Sequence, residues 1–317
     1  MPAPSSRPAC VPGRLLYLRL SVTDHCNLRC RYCRPEVLRA QAPLSDQALV
    51  QIVEAIDASR PVGKIRITGG EPLLRPRLPA LIRTLADRLP RAELVLTTNG
   101  VLLAPLARAL RRAGLRTVNV SLDAVAPPRF AALTGGRLEP VLRGIDAAVA
   151  AGLAPVKLNA VLMRSVNGDH LQDIVELAVR KGCQLRFIEL MPIGVAARIH
   201  EREFLSSDEA LSRLSARFPR QEVLEQRGTA RLHRLSAASG DEAIVGFITA
   251  VSHPFCNECN RLRLDATGRL IACLRQDPCA NLAGLDRAGI EREVTRALEA
   301  RLASTTWSDR SMVAIGG

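Results

Sequence analysis

From residue 15 to about residue 190 the chain alternates short β-branched or apolar runs with longer segments of helical period, six times over, and few architectures accept that rhythm. The runs at 15–22, 64–68, 93–98, 117–122, 155–162 and 184–190 read as strands. Between them, 45–59, 78–89, 103–113, 139–151 and 169–181 read as amphipathic helices. Ser45 is a plausible N-cap for the first, and Gly114, Gly152 and Gly182 are C-terminal stop signals for three others. Strand–helix–strand units in series predict an α/β fold with a parallel sheet and right-handed crossovers. A closed barrel takes eight such units, so six predict a partial, open parallel βα barrel. After about residue 220 the rhythm changes. Strands at 243–251 and 269–274 and a helix at 286–302 predict a smaller C-terminal region. The expected division is an N-terminal extension (1–14), a core (15–220) and a C-terminal region (221–317).

With 317 residues, 47% hydrophobic and 24% charged, the chain is neither a disordered polymer nor a disulfide-stapled miniprotein. It has no uncharged apolar run of membrane-spanning length. Its Pro/Ser-rich start lacks the apolar segment of a signal peptide, which predicts a cytoplasmic address. In a reducing compartment nine cysteines point to metal ligands or catalysis before disulfides. The net charge is +13, and all but three of the 44 basic residues are Arg, the lysines being Lys64, Lys157 and Lys181. No dense basic run is interleaved with aromatics, as a single-strand binder would want. The charge therefore favours a small polyanion; neither nucleic acid nor membrane is expected as a partner.

Several predicted strands carry polar residues at i, i+2 spacing, which places them on one face: Arg66 with Thr68, Asn119 with Ser121 and Asp123, and Lys157 with Asn159. Strands covered on both faces by helices are normally apolar throughout. A solvent-wetted edge explains one such strand, hardly all three, so a polar concave face is expected, with its active rim at the strand ends.

Directly after the first strand, Cys26, Cys30 and Cys33 stand at C-x3-C-x2-C spacing. Three thiolates in one short loop can hold three corners of a four-iron cluster and leave the fourth iron open to a small molecule. Zinc would need a further donor such as His25, whose adjacency to Cys26 makes joint ligation awkward. A second set comprises Cys256, Cys259 and Cys273, followed by Cys279. Here zinc stays open, with Cys279 or His253 as fourth ligand. Arg261 and Arg263 follow Cys259 at i, i+2 and would grip phosphate or carboxylate, which a structural zinc does not require.

The first cysteine motif resembles the signature of the radical SAM superfamily, and residues 68–72 (TGGEP) resemble its glycine-rich SAM-binding segment. Residues 18–24, 66–72, 96–100, 119–123, 156–159 and 186–191, the second cysteine set and the terminal Gly316-Gly317 together are similar, in order and over nearly the whole chain, to the GTP 3′,8-cyclase family. Arg34 stands where that family usually carries Met.

The resemblance implies two four-iron, four-sulfur clusters, one held by Cys26, Cys30 and Cys33 and one by Cys256, Cys259 and Cys273. It implies S-adenosyl-L-methionine (SAM) beside Tyr32, Gly70, Ser121 and Met191. GTP would contact Arg19, Arg66, Thr97, Lys157, Arg186, Arg261, Leu262 and Arg263, with Arg261, Arg263, Gly316 and Gly317 serving the reaction. The implied reaction is radical cyclisation of GTP, the first step of molybdenum cofactor biosynthesis. An electron donor, a downstream cyclic pyranopterin monophosphate synthase and a homodimer are the implied partners. Two other readings compete: a radical SAM peptide maturase with an auxiliary cluster, and a zinc-stabilised nucleic-acid-binding protein. Cys10, Cys183 and Cys279 match no ligand of the family and read as small buried hydrophobes.

Overall fold

The computed structural model describes residues 15–33, 42–224, 229–256 and 259–299. In chain order its first half contains β1 (Leu16–Ser21), α1 (Asp46–Ser59), β2 (Val62–Thr68), α2 (Leu78–Arg88), β3 (Glu93–Thr98), α3 (Leu103–Arg112) and β4 (Thr117–Ser121). Then follow α4 (Pro127–Thr134), α5 (Leu138–Ala150), β5 (Lys157–Leu162), α6 (Leu171–Arg180) and β6 (Gln184–Glu189). The remainder is α7 (Ala197–Glu203), α8 (Ser207–Leu214), β7 (Arg220–Val223), β8 (Arg231–Ser236), β9 (Glu242–Ile248), β10 (Arg261–Leu264), β11 (Arg269–Ile271), β12 (Ala280–Asn281) and α9 (Arg287–Glu299).

Two compact units form. One takes the chain as far as Cys26, residues 42–95 and the chain from Phe255 on; the other takes Asn27 to residue 33 and most of Leu96–Pro254. In the first unit β1 lies between β2 and β10, parallel to both, and β11 and β12 extend that edge antiparallel. In the second, β4, β5, β6 and β9 run parallel in that order, and β8 and β7 follow antiparallel. The fold is thus α/β with mixed pairing: parallel strands from the strand–helix repeats, antiparallel hairpins at the edges. Segments after residue 220 do not build a sheet of their own. β9 is laid beside β6 and β10 beside β1.

The predicted elements recur with small shifts at their ends. Ser45 caps α1 by accepting the Ala48 amide, and Leu49, Ile52, Val53 and Ile56 are buried along one stripe. Gly114, Gly152 and Gly182 close α3, α5 and α6 at φ +104°, +73° and +63°, a region where a side chain is penalised. α4 has no counterpart in the sequence reading; it is short, starts on Pro127-Pro128 and stops at Gly135 (φ +71°). Along β1, Leu16, Leu18 and Leu20 are buried while Tyr17 and Arg19 alternate to the other face. The same alternation puts Ile65 and Ile67 of β2, and Leu262 and Leu264 of β10, among the apolar packing.

Candidate active site

In the first unit, register sets two rows of side chains across three strands. Arg261, Tyr17 and Lys64 form one row; Arg263, Arg19 and Arg66 form the next. Residues paired across parallel strands share a face, so five cations and one phenol stand side by side. Arg66 and Arg263 are only 7% and 5% exposed. Burial, and after it the neighbouring Arg263, hold Arg19 well below the ordinary guanidinium range. Burial and Arg261 lower Arg263 to about 10, an effect that Cys259 and Cys273 oppose. Those two cysteines are therefore electrostatic neighbours of the array. The Nε of Arg263 is buried with no hydrogen-bond partner among the described residues. Guanidinium does not give up its proton in ordinary proteins, so an array this crowded favours an anion.

The β10–β11 hairpin presents the second cysteine set. Arg263 pairs with Ile271 and Leu264 with Leu270, which brings Cys259, just before β10, and Cys273, just after β11, to the same open end. The Asp265 carboxylate locks the far turn by accepting from the Thr267 and Arg269 amides and the Thr267 hydroxyl. Cys256 precedes this hairpin, and the Cys259 amide donates to its carbonyl. Cys279 is occupied differently: its amide and its Sγ both donate to the Leu270 carbonyl, and burial pushes its thiol up, away from the thiolate a metal needs. Leu262, by contrast with its neighbours, has a fully buried side chain level with Leu18 and can meet a ligand only through its main chain.

The loop after β1 carries Cys26, Cys30, Tyr32 and Cys33. Its beginning is zippered to the end of β2: the Gly70 amide donates to Thr23 and the Glu71 amide to His25. A Cβ on Gly70 would stand 2.3 Å from the His25 carbonyl and 2.6 Å from that of Asp24, so only glycine permits this approach. In the second unit the later part of the loop rests on the end of α4, where the Arg29 and Arg31 amides donate to Thr134 and Leu133. The Tyr32 hydroxyl donates to Asp123 Oδ2 at 2.8 Å, and Asp123 Oδ1 accepts the Val161 amide at 2.7 Å. Burial lifts Asp123 from 3.8 to about 6, although both hydrogen bonds pull the other way. Tyr32 is raised well above its usual value by burial, by Asp123, and by Cys30 and Cys33, which places those thiols beside the phenol.

The polar face expected from the sequence is present in the second unit. Asn119 of β4 is level with Lys157 of β5; Ser121, Asn159 and Arg186 form the next row across β4, β5 and β6. Oδ1 atoms of Asn119 and Asn159 are buried with no hydrogen-bond partner among the described residues. Thr97 lies near the end of β3 and Met191 two residues past β6, both half-buried. Gly316 and Gly317 lie outside the described residues, as do Arg34 and Cys10.

None of the cysteines among the described residues is in a disulfide. Among those residues no three His, Cys, Asp or Glu side chains stand at single-ion spacing, so the fit of a metal group rests on donor chemistry. Each triad is all-thiol, which suits iron–sulfur ligation. Sequence reading passed over Tyr17 and the Asp123–Tyr32 bond. The signal for Tyr17 was its i, i+2 spacing to Arg19; nothing local joins Tyr32 to a residue 91 positions away.

A family model described as the radical SAM superfamily matches residues 20–178, and one described as Molybdenum Cofactor Synthesis C matches residues 183–310. The GTP 3′,8-cyclase of Ectopseudomonas mendocina is 43% identical over 279 residues, covering 87% of this chain and 84% of that protein. That of Moorella thermoacetica is 40% identical over 302 residues, covering 93% and 92%. Among solved structures, Streptococcus suis SuiB bound to precursor peptide SuiA has a TM-score of 0.61 at 13% identity. It covers 90% of this chain, which spans 65% of the SuiB chain, and the likeness is one of fold alone.

Proposed function

The chain belongs to the GTP 3′,8-cyclase family of the radical SAM superfamily, and from that premise we infer that it cyclises GTP to 3′,8-cyclo-7,8-dihydroguanosine 5′-triphosphate, the first step of molybdenum cofactor biosynthesis. The observation that carries the reading is the crowded guanidinium array of β1, β2 and β10 beside Cys259 and Cys273. A triphosphate complements the concentrated positive charge of that array, and Arg19, Arg66, Arg261 and Arg263 grip it through charge-assisted hydrogen bonds. The main chain of Leu262 completes that edge.

Cys26, Cys30 and Cys33 would hold the SAM-cleaving cluster, and Cys256, Cys259 and Cys273 a second one that takes the purine. When bound, the first cluster and SAM supply the one-electron chemistry that abstracts hydrogen from the ribose. The residues of the chain bind and orient. Gly70 lets the SAM-binding segment lie against the cysteine loop. Asp123 fixes Tyr32, and Ser121 and Met191 add contacts to SAM. Lys157, Arg186 and Thr97 are assigned to GTP, and Gly316 and Gly317, with Arg261 and Arg263, to the reaction. The strand–helix units from β1 to β6 are read as a partial, open barrel spanning 15–220, preceded by an extension at 1–14 and followed by the cluster-binding region 221–317. No helix among the described residues is long and apolar enough to cross a membrane. A cytoplasmic location, an electron donor, a downstream cyclic pyranopterin monophosphate synthase and a homodimer complete the proposal.

The zinc reading of the second set loses its cysteine candidate for fourth donor, because Cys279 is turned onto Leu270. The deciding experiment incubates anaerobically reconstituted protein with SAM, GTP and dithionite. Cyclised nucleotide and 5′-deoxyadenosine in equal amounts are expected by mass spectrometry. Cleavage of SAM with GTP returned unchanged would overturn the assignment.

A further inference from the structure

Tyr17 stands in the middle of the cation array, and no role is assigned to it by the reading above. Its ring centroid lies 5.6 Å from the guanidinium carbons of Arg66 and of Arg261 and 5.9 Å from Lys64 Nζ. Its hydroxyl accepts a hydrogen bond from Arg66 Nε. The bond is taken by Nε, and so it fixes the plane of the guanidinium along its inner edge. Lys64, the third cation on the ring, is paired with Glu93 at 2.7 Å. The ring thus draws in two arginines, one from each flanking strand, and offers both a π-face and an oxygen in a place where every other neighbour in the two rows is positive.

We propose that Tyr17 is a positioning residue for triphosphate recognition, holding the Arg66 and Arg261 guanidiniums in the orientation in which they receive the phosphates. Like charges packed this closely repel, and without an acceptor between them Arg66 and Arg261 would have to be reordered at the moment of binding. A neutral phenol supplies the acceptor without neutralising any of the charge the ligand needs. The inference rests on the GTP reading, though it requires only the triphosphate part of it.

The charged groups facing the phenol are Arg19 on its own strand, Lys64 and Arg66 on β2, and Arg261 and Arg263 on β10. Burial raises the pKa of Tyr17, but Arg66, Arg19 and Arg261 more than offset this and bring it to about 8. Above that pH the phenolate becomes a resident anion that competes with the incoming one.

The test titrates full-length chain with GTP, with inorganic triphosphate and with SAM, separately, by calorimetry between pH 7 and pH 9. Tyr17→Phe keeps the ring and removes the acceptor; Tyr17→Leu removes both. Expected are losses of about tenfold in affinity for GTP and for triphosphate in Y17F, larger losses in Y17L, and unchanged SAM binding. The unsubstituted chain should lose triphosphate affinity above pH 8, and Y17F should not. Equal triphosphate affinity in Y17F and the unsubstituted chain, or parallel losses of SAM and triphosphate, would overturn the proposal. If the unsubstituted chain binds triphosphate but not GTP, the nucleotide reading falls, while the Y17F ratio on triphosphate still decides the role of Tyr17.

Discussion

Arg263 is buried next to two other arginines, so its removal acts in opposite directions on binding and on stability. Arg263→Ala should weaken GTP binding about tenfold or more, since hydrogen bonds to charged groups are worth about 1.5–3 kcal/mol, and should leave SAM binding unchanged. The ligand-free chain should melt no lower than before, because a buried like-charge neighbour has been deleted. Equal loss of both ligands in calorimetric titrations would contradict the assignment. Asp123 gives a prediction in pH. Its folded value of about 6 lies above the ordinary 3.8, so the folded chain holds a proton that the unfolded one releases between those values. Stability should therefore be fully supported below pH 4 and fall as pH rises through 6, by roughly 3 kcal/mol for this group alone. Urea denaturation at pH 4.5 and pH 7 should show about 2 kcal/mol of that decline in the original chain. Asp123→Asn, which cannot ionise, should remove it.

Among the elements, the junction of the cysteine loop with β2 depends on the absence of one carbon atom. Gly70→Ala would drive a Cβ into the His25 and Asp24 carbonyls, backbone atoms that cannot swing aside. It should cost about 1–3 kcal/mol and displace the loop ahead of Cys26, with a falling iron content after reconstitution. Gly182→Ala is the matched comparison: nothing lies within 4 Å, φ is +63°, and about 1 kcal/mol of backbone strain is the only cost. Iron content should be normal there. Iron loss equal to that of Gly70→Ala would show that the β2 junction is not specifically required. The element-level reading of the sequence was strongest where hydrophobic period was long, as in α1, and failed for α4, whose eight residues and paired prolines carry little pattern. Yet α4 supplies the carbonyls that accept the amides of Arg29 and Arg31, on either side of Cys30.

For the whole molecule, two all-thiol triads predict about eight irons and eight sulfides per chain after anaerobic reconstitution. Cys256→Ala should reduce that to about four while SAM cleavage persists. A colourless preparation would remove both clusters from the account, and four irons in the unsubstituted chain would remove the second. The net charge of +13 gives the molecule a field that attracts polyanions at long range. The association rate of GTP should fall with added salt much more steeply than that of SAM, measured by stopped flow between 50 and 500 mM KCl.

The order of strands and helices, the apolar stripes, the cysteine triads and the polar spacing on β4 and β5 were all legible in the linear chain, because each depends on residues a few positions apart. So was the family, since its motifs are short and ordered. Three things depended on the folded chain. Registration of β10 against β1 brings Arg261 beside Tyr17 and Arg263 beside Arg19 across more than 240 residues. The bond from Tyr32 to Asp123 and the clash that reserves position 70 for glycine likewise arise between segments far apart or separately folded. Periodicity tells which face a side chain occupies, but only hydrogen-bonded register decides which side chain from another strand stands beside it, and the electrostatics of this site are set by those neighbours.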